Sequence, residues 1–244
     1  MAVHIGTSGW SYLHWEHVLY PPGTPTAARR DLYTRRFSTT ELNASFYRWP
    51  ANRTFAGWRR QLPDEFLLSV KASRGLTHAK RLYAPEDWIE RISSCWHDLG
   101  ERRGVVLFQL APGHARDDAR LEYLLTRLPP WMRAAVEFRH SSWHCDVVLA
   151  LLERHGVAYC VMSGARLPCH LRATASFVYV RMHGPDHHHL YAGSYCDADL
   201  RWWSDRIREW DAGGRDVFVY FNNDGDGHAV RNAQTLRSYG AQER

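Results

Sequence analysis

Glu137, Arg139 and His140 close the apolar run Ala134-Ala135-Val136, so a carboxylate, a guanidinium and an imidazole end one short segment. That combination suits acid–base chemistry, because neighbouring cations or desolvation tune a carboxylate's proton affinity. Glu137 is the best single candidate for a general acid or base. Glu41, in Thr40-Glu41-Leu42-Asn43, is a second carboxylate for paired proton transfer. Lys71 ends Phe66-Leu67-Leu68-Ser69-Val70-Lys71 and could hold a phosphate or carboxylate, shuttle a proton or form a Schiff base; binding is the favoured role. Arg181 and His183 end Phe177-Val178-Tyr179-Val180-Arg181-Met182-His183. His183 is the expected proton-transfer partner. Arg139 and Arg181 suit bidentate recognition of an anion, Arg181 most strongly because it shares a face with His183. His140, Asn43, Gln109, Asn222 and Asn223 add donors and acceptors for a polar ligand. Trp10, Tyr47 and Trp143, with Tyr12 and Trp49, supply ring faces in the first, second and fifth loops, although most such rings are expected to pack under the loops. Every charged candidate also has a structural role open to it. Glu137 could pair with Lys71, Arg139 or Arg181, and a lone histidine at a strand end is often only hydrogen-bonded.

These groups need strands to hold them. Short apolar runs recur at about 3–6, 39–43, 66–71, 105–110, 134–138, 157–162, 177–182 and 217–222. Between them lie stripes of helical period: Trp88, Ile92, Cys95, Trp96 and Leu99; Leu121, Leu124, Leu125 and Leu128; Val147, Val148, Leu151 and Leu152; Leu200, Trp203, Ile207 and Trp210. Residues 26–37 and 52–61 are weaker helix candidates. Residues 163–176 look irregular, so the sixth helix is short or missing. Strands alternating with helices predict parallel βα units, and eight of them predict a single closed (β/α)8 TIM barrel over residues 1–244 with Val3–Gly6 as its first strand. In such barrels the site lies at the carboxyl ends of the strands. Side chains alternate faces along a strand. Glu41, Lys71, Gln109, Glu137, Arg181 and His183 therefore converge on one mouth, while Leu42, Val70, Val136, Phe138, Val180 and Met182 pack against helices.

Composition narrows the function classes. The 244 residues carry a net charge of +5, mildly basic and attractive to anions without being a nucleic-acid signature. Cys95, Cys145, Cys160, Cys169 and Cys196 are odd in number and form no C-x-x-C pair, which argues against a disulfide framework or zinc ribbon. No apolar run approaches the roughly 20 residues that span a bilayer, and no signal peptide is recognised, so a soluble cytoplasmic protein with no membrane partner is expected. Ile5-Gly6-Thr7-Ser8-Gly9-Trp10 lacks the third glycine of a dinucleotide fingerprint. No cofactor is assigned. No metal ligand set is assigned either, since Glu41, Glu137, His140 and His183 lack tight ligand spacing. Asn222-Asn223-Asp224-Gly225-Asp226-Gly227 lacks the spacing of a calcium loop and reads as a turn into the last helix.

Several stretches carry a resemblance. Ile5-Gly6-Thr7-Ser8-Gly9-Trp10-Ser11-Tyr12, Glu41-Leu42-Asn43-Ala44-Ser45-Phe46-Tyr47-Arg48, Val70-Lys71-Ala72-Ser73-Arg74 with Thr77-His78, and Phe108-Gln109-Leu110-Ala111-Pro112 come first. Glu137-Phe138-Arg139-His140-Ser141-Ser142-Trp143, Arg181-Met182-His183-Gly184 and Tyr220-Phe221-Asn222-Asn223-Asp224 follow in order. The sequence resembles the domain of unknown function 72 (YecE-like) family across almost its whole length. The resemblance implies a TIM barrel and supplies no activity. Asp186-His187-His188-His189 departs from the family pattern and reads as an exposed loop.

The expected function is acid–base catalysis on a small anionic, polar, sugar-like molecule, with Glu137 and His183 moving protons and Arg181 and Lys71 holding charge. Two alternatives stay open: a nucleic-acid-binding protein or metal-dependent phosphodiesterase similar to endonuclease-IV-like barrels, and a non-catalytic ligand-binding protein.

Overall fold

The computed structural model describes residues 2–241. In chain order it contains β1 (Val3–Ser8), α1 (Thr26–Thr34), β2 (Thr39–Leu42), α2 (Ala44–Tyr47), α3 (Asn52–Gln61), β3 (Leu67–Lys71), α4 (Glu86–Asp98), β4 (Arg103–Gln109), α5 (Asp118–Leu125) and β5 (Ala134–Glu137). It continues with α6 (Asp146–Arg154), β6 (Ala158–Ser163), β7 (Phe177–Met182), α7 (Asp197–Ala212), β8 (Asp216–Phe221) and α8 (His228–Ala241). The eight strands close into a barrel in sequence order, with β1 parallel to both β2 and β8. This is the expected (β/α)8 fold. No helix stands between β6 and β7, where the sequence reads as irregular.

Local chemistry explains the helix limits. Asp117 caps α5 by accepting the Arg120 N–H at 3.0 Å. Pro85 precedes α4, whose first turn carries Glu86 and Asp87. Gly156 follows α6 at φ 62°, a left-handed position that favours glycine. Two stripes differ in detail from the sequence pattern. Ile89 joins Ile92, Cys95 and Trp96 on the buried face of α4, whereas Trp88 is half-buried. In α6, Val148, Leu151 and Leu152 are buried but Val147 is 60% exposed. Adjacent valines cannot both face the core on a helix that turns about 100° per residue.

Two compact units divide the chain. The first comprises 1–41, 161–171 and 176–244; the second comprises 42–160 and 172–175. In the first, the β7–β8 pair runs in register from Phe177↔Asp216 to Met182↔Phe221, and almost every residue along it is buried. Two hydroxyl pairs lie inside it: Thr39 Oγ1 is 2.7 Å from Tyr220 Oη, and Thr7 Oγ1 is 2.9 Å from Tyr33 Oη. In the second, Val105, Val106, Leu107 and Phe108 of β4 are fully buried, as expected for a parallel strand covered on both faces. The β3–β4 register shifts between Leu68 and Val70, and Ser69 Oγ accepts the Val105 N–H there at 2.9 Å. Ser69 thus serves the strand ladder.

Candidate active site

Glu41, Lys71, Gln109, Glu137 and Arg181 each occupy the last or next-to-last position of a strand, His183 follows β7 directly, and all six are buried. Glu41, Arg181 and His183 belong to the first unit, and Lys71, Gln109 and Glu137 to the second.

In the first unit, the β1–β2 register sets Ser8 beside Glu41. The Glu41 carboxylate accepts from three donors: Arg181 at 2.7 Å, Tyr179 Oη at 2.5 Å, and the Ser8 hydroxyl. Arg181 and Glu41 side chains are 1% and 0% exposed. Burial, and next the charge of Glu41, hold the Tyr179 phenol well above its ordinary range, so it stays protonated and donates. Asp224 follows β8 near this pair. Burial is the main cause that lifts its carboxyl to about 7; Tyr12 hydrogen bonding and the Arg181 charge oppose the lift, and the Glu41 charge adds to it. Its Oδ1 is buried without a hydrogen-bond partner. A carboxyl that exchanges its proton near neutrality beside a fully compensated carboxylate is suited to acid–base work.

Other expected site residues of this unit have structural partners. His183 Nδ1 lies 3.3 Å from Asn222 Nδ2, and its backbone N–H donates to the Ser163 carbonyl at 2.6 Å. Asn223 Nδ2 donates to the Gly193 carbonyl and to Asn232 Oδ1, both at 2.9 Å, so it ties the loop after β8 to α8. Trp10 is almost closed off, and its carbonyl accepts from Tyr20 Oη.

In the second unit, the β4–β5 register sets Gln109 beside Glu137. Glu137 accepts from Arg139 Nε, with side chains 0% and 5% exposed, and Cys160 Sγ lies 3.8 Å from its other oxygen. Lys71 Nζ stands 4.0 Å over the Phe46 ring, within cation–π range. The turn after β3 carries His78, whose Nδ1 is 3.0 Å from Thr77 Oγ1 and whose ring meets Phe46 edge-on at 4.9 Å. The His78 pKa is lowered, first by burial and then by the charges of Lys71, Arg74, Arg139 and His114. That imidazole therefore senses a positive field.

The remaining expected residues of this unit fill structural or peripheral places. His140 Nδ1 accepts the Ser142 N–H at 3.2 Å, capping the short turn before α6. Trp143 is fully buried, stacks on Phe138 at 4.9 Å and donates to the His114 carbonyl at 2.6 Å. Asn43 occupies the N-cap position of α2, and Tyr47 is 73% exposed at the end of that helix. Among the described residues, no three His, Cys, Asp or Glu side chains gather as metal ligands.

Sequence reasoning did not single out Ser8, Tyr179, Asp224, Cys160 or His78 as site residues, although His78 and Asp224 lie in the stretches that carry the family resemblance. Tyr179 had a signal, since it has the same strand parity as Arg181. Ser8 and Cys160 needed the register between strands, and Asp224 lies beyond the last strand, where alternation gives no direction.

Comparison with known proteins follows the same outline. The family model described as "Protein of unknown function DUF72" matches residues 4–244. The chain is 27% identical to the UPF0759 protein YunF of Bacillus subtilis (strain 168), over 96% of this chain and 93% of that protein. A crystal structure of a DUF72 family protein from Thermotoga maritima MSB8 superposes with a TM-score of 0.89 at 26% identity, covering 99% of this chain and 100% of that one. A DUF72 family protein from Enterococcus faecalis V583 has a TM-score of 0.82 at 17% identity, covering 97% and 94%, a likeness of fold alone.

Proposed function

The chain belongs to the DUF72 family, and from that premise we propose that it is an acid–base enzyme acting on a small, anionic, polar molecule at the strand ends of its second unit. The observation that carries this proposal is the gathering of positive charge around His78, whose ring meets Phe46 edge-on while Lys71 Nζ stands 4.0 Å over that same ring. Lys71, Arg74 and Arg139 all contribute to it, while Glu137 is already matched by Arg139. Three cationic side chains acting at one place favour a phosphate or carboxylate held by charge-assisted hydrogen bonds. Glu137 is the proton-transfer group for the bound molecule, and Gln109 beside it is a neutral donor and acceptor for hydroxyl groups. Asp224 gives the first unit its own carboxyl that titrates near neutrality.

The test uses inorganic phosphate as probe and the His78 imidazole as reporter. An anion bound near His78 stabilises its protonated form, so saturating phosphate raises the His78 pKa in an NMR titration. Lys71→Met abolishes that rise. Turnover is then sought across phosphorylated and carboxylated polyols, and Glu137→Gln removes turnover while keeping phosphate binding. A His78 pKa that ignores phosphate up to saturating salt overturns the proposal.

A further inference from the structure

The missing sixth helix leaves a cavity of about 530 Å³ in the first unit, between the ends of β6 and β7 and the start of α7. It falls within the size range of small-molecule sites. Two glycines shape its wall. A Cβ on Gly164 would lie 2.7 Å from His183 Cβ, and one on Gly184, at φ 95°, would lie 2.1 Å from the Ala192 carbonyl oxygen. Among the described residues, no lysine or arginine lines it. Its rings are Trp202, Trp203 and Tyr195, with Pro185 beside them and His187 at the loop. Trp202 and Trp203 meet at 89° with centroids 5.1 Å apart, which makes a corner of two perpendicular ring faces. Trp202 keeps 42% of its surface exposed.

One carboxylate completes the lining. Asp199 Oδ2 accepts the Cys196 N–H at 3.2 Å and so caps α7, which leaves Oδ1 for a ligand. The partial positive charge at a helix N-terminus opposes a cation, but Asp197 and Asp199 both lie in the first turn of α7 and outweigh it. Aromatic rings beside a carboxylate match an organic ammonium ion: the rings attract cations through their quadrupoles, as Trp202 already does with the Arg206 guanidinium 5.4 Å over it, and the Asp199 carboxylate pairs the ligand's charge.

We propose that this cavity is a binding site for a small organic ammonium ion, held by Asp199 and the Trp202–Trp203 corner. It is independent of the anion site proposed above. The test is isothermal titration with choline and with its uncharged isostere 3,3-dimethylbutan-1-ol. Choline is expected to bind saturably, and the alcohol about tenfold or more weaker. Asp199→Asn keeps an acceptor for the helix cap and removes the charge; it weakens choline by up to about fivefold. Trp202→Ala, at a half-exposed position, leaves the fold intact and has an effect of similar size. Trp131→Ala, an exposed ring in the other unit, changes nothing. Absence of saturable choline binding, equal binding of the alcohol, or choline affinity indifferent to both Asp199→Asn and Trp202→Ala each overturns the site.

Discussion

Arg181 donates to Glu41 at 2.7 Å across 140 residues of sequence, with both side chains sealed from solvent. The pair changes what Arg181 is for. Sequence reasoning ranks it first among anion-binding arginines. In the structure its guanidinium compensates a buried carboxylate that also occupies Ser8 and Tyr179.

Removing one member of a buried pair strands the other's charge, at a cost of about 3–5 kcal/mol. Arg181→Ala is therefore expected to lower unfolding stability by that order in urea titrations. Arg181→Met combined with Glu41→Gln should cost less than the sum of the single changes, because the stranded charge disappears. A loss under about 1 kcal/mol for Arg181→Ala, the range of solvated pairs, would show that the pair does not bear on stability.

Asp224 gives a signed pH dependence. Its folded-state pKa is raised to about 7, while the unfolded value is about 3.9. Between those values the unfolded chain has released the proton and the folded chain still holds it. The unfolded state binds fewer protons, so this group makes stability fall as pH rises from about 4 to about 7, and level off above. Asp224→Asn removes that component. Urea midpoints across the window should fall less steeply for the variant than for the wild type. Parallel curves would place the Asp224 carboxyl in the ordinary range.

Lys71 and His78 offer a test that needs no ligand. Burial is the first cause of the lowered His78 pKa and the Lys71 charge the second. Lys71→Met keeps a long apolar stem over Phe46 and deletes the charge. The His78 pKa, followed by imidazole NMR shifts against pH, is expected to rise toward the ordinary histidine value but not reach it, because burial persists. An unchanged value would mean that the ammonium group is screened from the imidazole, and the anion proposal would lose its main support.

The parts of this fold that were legible in the sequence are those governed by local period. Alternation located the strand ends carrying Glu41, Lys71, Gln109, Glu137 and Arg181, and the irregular composition of 163–176 marked the absent helix. Partnership was not legible. Glu41 meets Ser8 across 33 residues and Tyr179 across 138, and only the closed strand order brings them together. Residue type alone made Trp143 resemble a ligand-stacking ring, yet Phe138, His114 and complete burial claim it for the core. The divided fate of Val147 and Val148 is a matter of helix phase, which a stripe of adjacent apolar residues does not fix.

The nucleic-acid alternative separates from the small-anion proposal by its salt dependence. A protein that neutralises many phosphates loses affinity steeply with salt, roughly in proportion to the contacts made. The second unit's site converges Lys71, Arg74 and Arg139 on one place, and Arg139 is committed to Glu137. Few phosphates can be matched there at once. Single- and double-stranded oligonucleotides in a gel-shift series from 50 to 200 mM salt should therefore bind weakly, with a shallow slope, and Lys71→Met should abolish what binding there is. Tight binding with a steep slope that survives Lys71→Met would place the dominant contacts on a broad surface outside this site, and a nucleic-acid function would then replace the one proposed here.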